Sequence, residues 1–453
     1  MGIPEVMAQP RAPKGQPLRA EGGILPDCTA GGRYNRRFGN GGHCSCHPHS
    51  GSLPEAGPVR HCQPSSAPAI ALSPLPSNTQ TTNRPRVACL ITNSEIGGAQ
   101  SHVADLLQSA NGQADMVLLA GGDGPLLDIA QRAGIPVIRL QQLDNTLSPA
   151  RALTALRELL LALRQAAPDL IHAHSAKAGA LGRIAGFLLG IPVIYTVHGF
   201  AFKPEAPARQ RVAARIAEWL LAPLTARMIC VAEAEKHLAR TLPIRARHIA
   251  VIPNGIADTN ARARPEAPVQ RIVMVARLAA PKRPDLVIRA FAQASLPACE
   301  LVITGDGPRR SAMQQLADQV APGRVRFTGG IGDVPNLLLT AQIFVLTSDH
   351  EGFPLSVLEA MRAGLPVIAS DLPGIREQLD NGRCGVLLER NDEATLAEAL
   401  SRLASDASWR TALGNAARNR WEQHYGLDRM TRATWAVYQD ALDDKPRAAR
   451  MQT

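Results

Sequence analysis

Two hydrophobic periods alternate along residues 86–442. Short apolar runs rich in β-branched residues give way to longer stretches with apolar positions every three or four residues, the pattern of strands followed by amphipathic helices. Residues 341–371, AQIFVLTSDHEGFPLSVLEAMRAGLPVIASD, show the order most plainly. The apolar run 342–347 predicts a strand, and Asp349, Gly352 and Pro354 are turn residues. Residues 355–363 have helix composition, and Gly364 with Pro366 two residues on ends the helix. A second buried strand starts at 366–369, so the unit is strand–helix–strand with parallel pairing. On a helical wheel, Val357, Leu358 and Met361 share one arc, with Ser356, Glu359 and Arg362 opposite.

The same order recurs on both sides of an Ala/Arg/Pro-rich linker at 257–269. Before it, strands are predicted at 87–92, 116–119, 137–140, 170–173, 191–196, 228–231 and 249–252, with helices at 101–108, 151–165 and 175–186. After it come strands at 271–275, 301–304, 325–328 and 342–347, and helices at 285–294, 334–339, 393–403, 409–420 and 427–442. No sequence repeat is present, but the architecture repeats: α/β, two doubly wound Rossmann-like units facing a cleft. The expected domains are 86–265 and 270–426, with a final helix at 427–442 returning to the first. Residues 1–85 are rich in Gly, Pro, Ser and Arg, lack a hydrophobic period, and are expected to be a disordered extension or the product of a misplaced start. Their Cys28, His43, Cys44, Cys46, His47, His49, His61 and Cys62 lack the paired spacing of a zinc knuckle.

Charge narrows the partners. The net charge of +10 divides as +4 over residues 1–85, +5 over 86–270 and +1 over 271–453. A basic front half suits a phosphorylated substrate, an anionic membrane or nucleic acid. Aromatics make up 4 % of the chain, too few for a base-stacking surface. Cys89, Cys230, Cys299 and Cys384 are scattered singly in apolar stretches and read as reduced, buried thiols. No signal peptide is recognisable, and the longest apolar run, 185–197, is too short to span a bilayer. A cytoplasmic protein is expected, with peripheral contact to the inner membrane face open. Residues 209–227, which mix Arg with Leu and Trp219, fit a helix lying on an anionic membrane or an ordinary amphipathic surface helix.

Candidate chemistry gathers at the carboxyl ends of the predicted strands, where open parallel sheets bind ligands. The loop with Glu351 and Gly352 opens a helix whose free N–H groups and dipole favour an anion such as phosphate. Glu359 leans back toward the same mouth. Carboxylates beside a phosphate site are acceptors for hydroxyls, so one anion site with two such acceptors describes a sugar nucleotide. Gly97 and Gly98 lie in a strand–Gly loop–helix turn of phosphate-cradling form, without full G-x-G-x-x-G spacing. His198 follows a buried strand on the cleft side. Arg277 and Lys282, five apart in a strand-to-helix loop, form a candidate diphosphate clamp. Gly305 and Asn254 sit in further turns, GDGP and PNG.

Taken together, EGFPLSVLE, ARLAAPK, IPNGI and GDGP, with IGGAQ, HAHSAKAGALGRIAG and YTVHGF in the front half, resemble the retaining GT-B glycosyltransferases of family four. The front-half motifs are similar to those of bacterial members that build capsules, exopolysaccharides and lipopolysaccharides. The resemblance covers nearly all of 86–442 and none of 1–85. It implies an acceptor-side first domain and a nucleotide-sugar-binding second domain. Arg277 and Lys282 would hold the donor diphosphate, Glu359 would accept from the ribose, and Glu351 from the transferred sugar. Gly352, Phe353, Pro354 and Leu355 would present backbone to the donor. His198 would contact the sugar near the reacting carbon, and Gly97 and Gly98 would allow close approach. Asn254 and Gly305 are carried over as donor-binding. The resemblance further implies a UDP-linked donor, a saccharide or polyprenyl-linked acceptor, no nucleic acid, and no metal or other cofactor. One departure is Arg283, where the family commonly has Gly, which puts the local turn in doubt. Two other readings compete: a sugar-nucleotide epimerase of the same fold, needing no acceptor, and a nicotinamide oxidoreductase, disfavoured by the missing glycine fingerprint and the Arg/Lys pair. A non-catalytic sugar-nucleotide binder is disfavoured by the intact Glu351, Arg277 and Lys282.

Overall fold

The computed structural model describes residues 84–444 except 111, 147, 204–207, 295, 297 and 331. The expectations for residues 1–83, including the Cys/His cluster, lie outside the described residues. Seven strands form the first sheet: β1 (Arg86–Ile91), β2 (Asp115–Gly121), β3 (Val137–Leu140), β4 (Leu170–His174), β5 (Val193–Val197), β6 (Arg227–Cys230) and β7 (Ile249–Val251). Their spatial order is β3-β2-β1-β4-β5-β6-β7. Six more build the second: β8 (Arg271–Val275), β9 (Glu300–Thr304), β10 (Val325–Gly329), β11 (Ile343–Leu346), β12 (Val367–Ser370) and β13 (Val386–Leu388), in the order β10-β9-β8-β11-β12-β13. Every neighbouring pair is parallel. Strand order reverses between β1 and β4 in one sheet and between β8 and β11 in the other. These are the switch points at which a doubly wound sheet opens a ligand crevice.

Central strands buried on both faces explain the near-continuous apolar runs. Val87–Ile91 of β1 and all of β11 are fully buried. The helix Ala176–Leu189 contains the small residues of AGALGRIAG; a Cβ on Gly179 would enter the Tyr195 ring and one on Gly186 would enter Val193, so glycine sets how closely this helix approaches the sheet. The last helix, Leu427–Asp443, leaves the second unit and packs on the first sheet, with Met430, Tyr438 and Ala441 in the same core cluster as Val87 and Leu118. Where the chain passes between the units, Ile256 N–H donates to the Tyr425 carbonyl at 3.0 Å and Leu427 N–H returns to Ile256 at 3.0 Å. The two crossing segments therefore brace each other.

Several elements depart from the sequence reading. Helices at Pro125–Arg132, Glu233–Ala239, Arg310–Val320 and Pro373–Gln378 were not predicted. Three are eight residues or shorter, and the fourth buries only Met313, Leu316 and Ala317, so none carries a long periodic signal. In the helix Leu355–Ala363, Arg362 is buried rather than on a solvent face. Its Nη1 donates to the Ala257 carbonyl at 2.8 Å, and its own carbonyl accepts from Arg418 at 2.9 Å. The linker and a neighbouring helix cover the side opposite the sheet. Cys89, Cys230, Cys299 and Cys384 are buried and unpaired.

Candidate functional site

Most candidate residues lie at the carboxyl ends of strands, after β1 (Gly97), β5 (His198), β7 (Asn254), β8 (Arg277, Lys282), β9 (Gly305) and β11 (Glu351–Pro354). After β8, Arg277 is exposed, and among the described residues its guanidinium makes no hydrogen bond or ion pair. Lys282 folds onto the loop after β11, where its ammonium pairs with the Glu351 carboxylate. Their side chains are only 18 % and 10 % exposed, so the pair sits where solvent screens charge weakly. Arg283 does not need a glycine conformation: its φ is −116°, its N–H donates to the Thr347 carbonyl at 3.0 Å, and its guanidinium ties Asp285 and Asp349. Gly305, at φ +128°, does need one, and a Cβ there would enter the Ala276 carbonyl beside Arg277. At Gly98 the same test meets nothing within 4 Å, so that face of the β1 loop is open.

The two halves meet at Gly352. A Cβ on it would overlap the His198 carbonyl oxygen, and a Cβ on Gly374 would overlap the Gly352 carbonyl oxygen. Lys203 donates to the Glu351 carbonyl at 3.0 Å while pairing with buried Glu235. Asn254 is buried and donates to the Phe353 carbonyl at 2.8 Å; its amide oxygen lies 3.1 Å from His102 Nδ1. Both ends of this amide are thus engaged within the protein. Phe353 and Pro354 are buried, with the Phe353 ring 5.5 Å from that of Tyr425, and Leu355 is half-buried. Pro354 gives the following helix no side-chain cap, which leaves its first-turn N–H groups turned to the mouth.

His198 belongs to a group of four imidazoles. Its Nε2 is 3.3 Å from His174 Nδ1, and its ring centroid is 5.0 Å from that of His102. His172 adds to the stack at 4.1 Å from His174, with its nitrogens bonded to Tyr438 Oη at 2.6 Å and Thr196 Oγ1 at 2.7 Å. Burial lowers the pKa of His102 to about 4 and holds His172, His174 and His198 well below the usual value, with mutual repulsion adding to the effect in those three. The rings are therefore neutral near pH 7. His102, His174 and His198 are the set whose nitrogens converge closely enough for a transition-metal ion. The other such set, Cys89 with His172 and His174, is a poor one: both His172 nitrogens are engaged and burial pushes the Cys89 thiol up to about 12.

Across the gap, Glu359 accepts no hydrogen bond among the described residues. Burial pushes its pKa up to about 7, opposed by Arg362 and reinforced by Asp105, itself pushed up to about 6 by burial. A carboxylate in this state gains from hydroxyl donors that reach it.

These shifts fix how stability responds to acid. The unfolded chain protonates the four imidazoles near pH 6.5, whereas the folded chain holds them neutral, so stability present above pH 6.5 is lost as pH falls toward about 4. Glu359 and Asp105 act the other way, binding protons in the folded state first. The depressed imidazoles outnumber the two raised carboxyls, so near pH 5.5 the unfolded chain binds more protons and stability falls with acid. Urea unfolding at a series of pH values reads this directly. The midpoint should drop steeply below pH 6, and a flat midpoint would show the imidazoles to be solvated.

Comparison with known proteins decides the class. The family model described as Glycosyltransferase Family 4 matches residues 96–260, and that described as Glycosyl transferases group 1 matches 259–420. A galactosyltransferase from Escherichia coli, UDP-Gal:alpha-D-GlcNAc-diphosphoundecaprenol alpha-1,3-galactosyltransferase, is 31 % identical over 320 residues, covering 65 % of this chain and 81 % of that protein. The chain is a family 4 glycosyltransferase. The E. coli O-antigen biosynthesis glycosyltransferase WbnH is 27 % identical over 68 % of this chain and 87 % of its own length. Among solved structures, Anabaena HepE in complex with UDP and glucose superposes with a TM-score of 0.69 at 21 % identity, over 79 % of this chain and all of that one. Sucrose-phosphate synthase from Thermosynechococcus elongatus gives 0.65 at 21 % identity over 79 % and 98 %. The fold of this glycosyltransferase is thus GT-B.

The structure brings His198, Lys282, Glu351 and Gly352 together, and sets Arg277 and Gly305 in loops, and Gly98 at the start of the helix Gly98–Gln108, at the same ends of their sheets. His102, Asp105, Lys203 and Glu235 were not singled out from the sequence. A lone His or Asp within a helix has no signature of its own. The one available hint was position, since His102 and Asp105 lie in the first two turns after Gly97-Gly98.

Proposed function

We propose that this glycosyltransferase moves a sugar from a UDP-linked donor to a saccharide or polyprenyl-diphosphate-linked saccharide, with retention of anomeric configuration, in cell-surface polysaccharide synthesis. The observation that carries the reading is the Lys282–Glu351 pair held beside Gly352, where the second domain's loop presses on His198 of the first. Departure of a nucleoside diphosphate builds negative charge on phosphate and positive charge on the sugar carbon. On this reading Lys282, Arg277 and the first-turn N–H groups of Leu355–Ala363 stabilise the first, with Lys282 turning from Glu351 to the diphosphate. They supply the charge a metal would otherwise bring, so the reaction is read as metal-independent. Glu351 accepts from hydroxyls of the transferred sugar, Glu359 from the ribose, and the His198 backbone and ring face the reacting carbon. With no carboxylate assigned as nucleophile, the acceptor attacks the face the diphosphate leaves, and the departing phosphate oxygen takes its proton. A UDP-linked donor is supported by the UDP-bound HepE neighbour and by the UDP-Gal donor named for the E. coli relative.

Purified enzyme offered a panel of nucleotide sugars should release UDP only when a saccharide or lipid-linked acceptor is present, and the product should keep the donor's anomeric configuration by NMR. Epimerised free donor without acceptor would replace this reading with that of an epimerase.

A further inference from the structure

The helix Ala208–Leu221 is turned inside out. Its one buried residue is Glu218, while Val212, Ile216, Trp219 and Leu220 are 55–61 % exposed. Those four positions fall on one stripe, at i, i+4, i+7 and i+8, away from Glu218. What fixes the helix this way round is Arg183, fully buried on the neighbouring helix Ala176–Leu189. It forms a bidentate bond to Glu218 at 2.8 and 3.1 Å and lies 4.4 Å over the Tyr195 ring. A buried fork of this kind is costly to break, so the apolar stripe cannot roll inward. The helix that carries Arg183 also ends on exposed apolar residues, Phe187 at 68 % and Leu188 at 58 %. Phe187 lines a groove of about 830 Å³ together with Ala222 and Pro223, just past the end of the inverted helix. Apolar surface thus continues from one helix to the other.

Positive charge surrounds this surface. Arg209 and Arg215 are exposed on the inverted helix, and Arg245 and Arg247 are exposed on the wall of the groove. Arg227, also in the groove, is paired with Asp444. An apolar stripe edged by arginines is the pattern of a helix lying in the headgroup plane of an anionic bilayer. A second copy of the chain would bring the same arginines against themselves, which disfavours a symmetric interface.

We infer that the face formed by Ala208–Leu221, Phe187, Leu188 and the Arg245/Arg247 groove docks on an anionic phospholipid bilayer. Val212, Ile216, Trp219 and Leu220 enter the acyl boundary, and the arginines contact lipid phosphates. This deepens the reading of a lipid-linked acceptor, since it would hold the enzyme at the surface where such an acceptor resides.

The test is co-sedimentation of the full chain with vesicles of phosphatidylcholine, alone or mixed with phosphatidylglycerol. Neither donor nor acceptor is present, so its outcome is independent of whether the transfer reaction is correctly assigned. The chain should pellet with mixed vesicles and about tenfold less with neutral ones. Replacing Ile216, Trp219 and Leu220 together by Ser should weaken binding at least about tenfold, and Arg245→Gln or Arg247→Gln about fivefold each. UDP release with a water-soluble acceptor should be unchanged in all three variants. Three results would overturn the inference: equal binding by the triple-Ser variant, no binding of the wild type to either vesicle, or a dimer by light scattering that the triple-Ser variant converts to monomer.

Discussion

Lys282→Ala is expected to lower sugar transfer about a thousandfold while the protein remains folded. The magnitude follows from the proposed role, the loss of a cation where the reaction builds negative charge, an effect of about 10²–10³ per group in sites closed to water. The ion pair gives this experiment an internal control. Lys282 and Glu351 are largely buried together, so removing either partner leaves the other charge unpaired and costs about 1–3 kcal/mol of stability. Removing both, as Lys282→Met with Glu351→Gln, relieves that penalty and should return the unfolding midpoint close to wild type. Activity should not return with it, because the proposed diphosphate contact of Lys282 and the proposed hydroxyl acceptor Glu351 are both gone. A pair with only a structural role would recover stability and activity together. Measuring turnover and urea unfolding on the three variants separates the two cases.

Gly352→Ala is expected to reduce turnover about a hundredfold with a smaller effect on stability. The residue stands where the two domains touch, and the added methyl would overlap the His198 carbonyl oxygen. The backbone on either side has little freedom to yield, since Lys203 holds the Glu351 carbonyl and Asn254 the Phe353 carbonyl. The methyl therefore pushes the loop of the second domain off the first, at the place where the proposed reaction aligns donor and reacting carbon. A displacement of about 1 Å at such a point costs on the order of 10²-fold. Stability should fall by about 1–3 kcal/mol, the range for overpacking. Steady-state kinetics beside thermal unfolding checks this, and near-normal turnover would show that the contact is not maintained during the reaction.

How much of this was legible in the sequence depended on whether the signal was local. The unit at 341–371 was readable because a buried strand, a turn and a capped helix each impose their own pattern within a few residues. Arg277, Lys282, Glu351 and His198 were nameable because strand-end loops in a doubly wound sheet converge wherever the sheet is placed. The Lys282–Glu351 pair spans 69 positions, however, and no local pattern shows that the two charges meet. Neither was the histidine group visible: His102 reaches Asn254 across 152 positions, and each ring alone looks like an ordinary core or surface residue. Glu359 and Arg362 read as a polar helix face, but the linker covers that face and buries Arg362. At Ala208–Leu221 the composition left the choice between a membrane-lying and an ordinary surface helix open. Only the Arg183–Glu218 fork shows which face is turned out.

The proposed transfer requires an activated sugar held by its diphosphate in the crevice between the two sheets, with the grip supplied by the second. A crystal structure of the enzyme with a UDP-sugar tests this most directly. The diphosphate should lie against Arg277, Lys282 and the first turn of Leu355–Ala363, the ribose at Glu359, and the sugar between Glu351 and His198. Density for the donor outside that crevice, with the Lys282–Glu351 pair untouched, would contradict it.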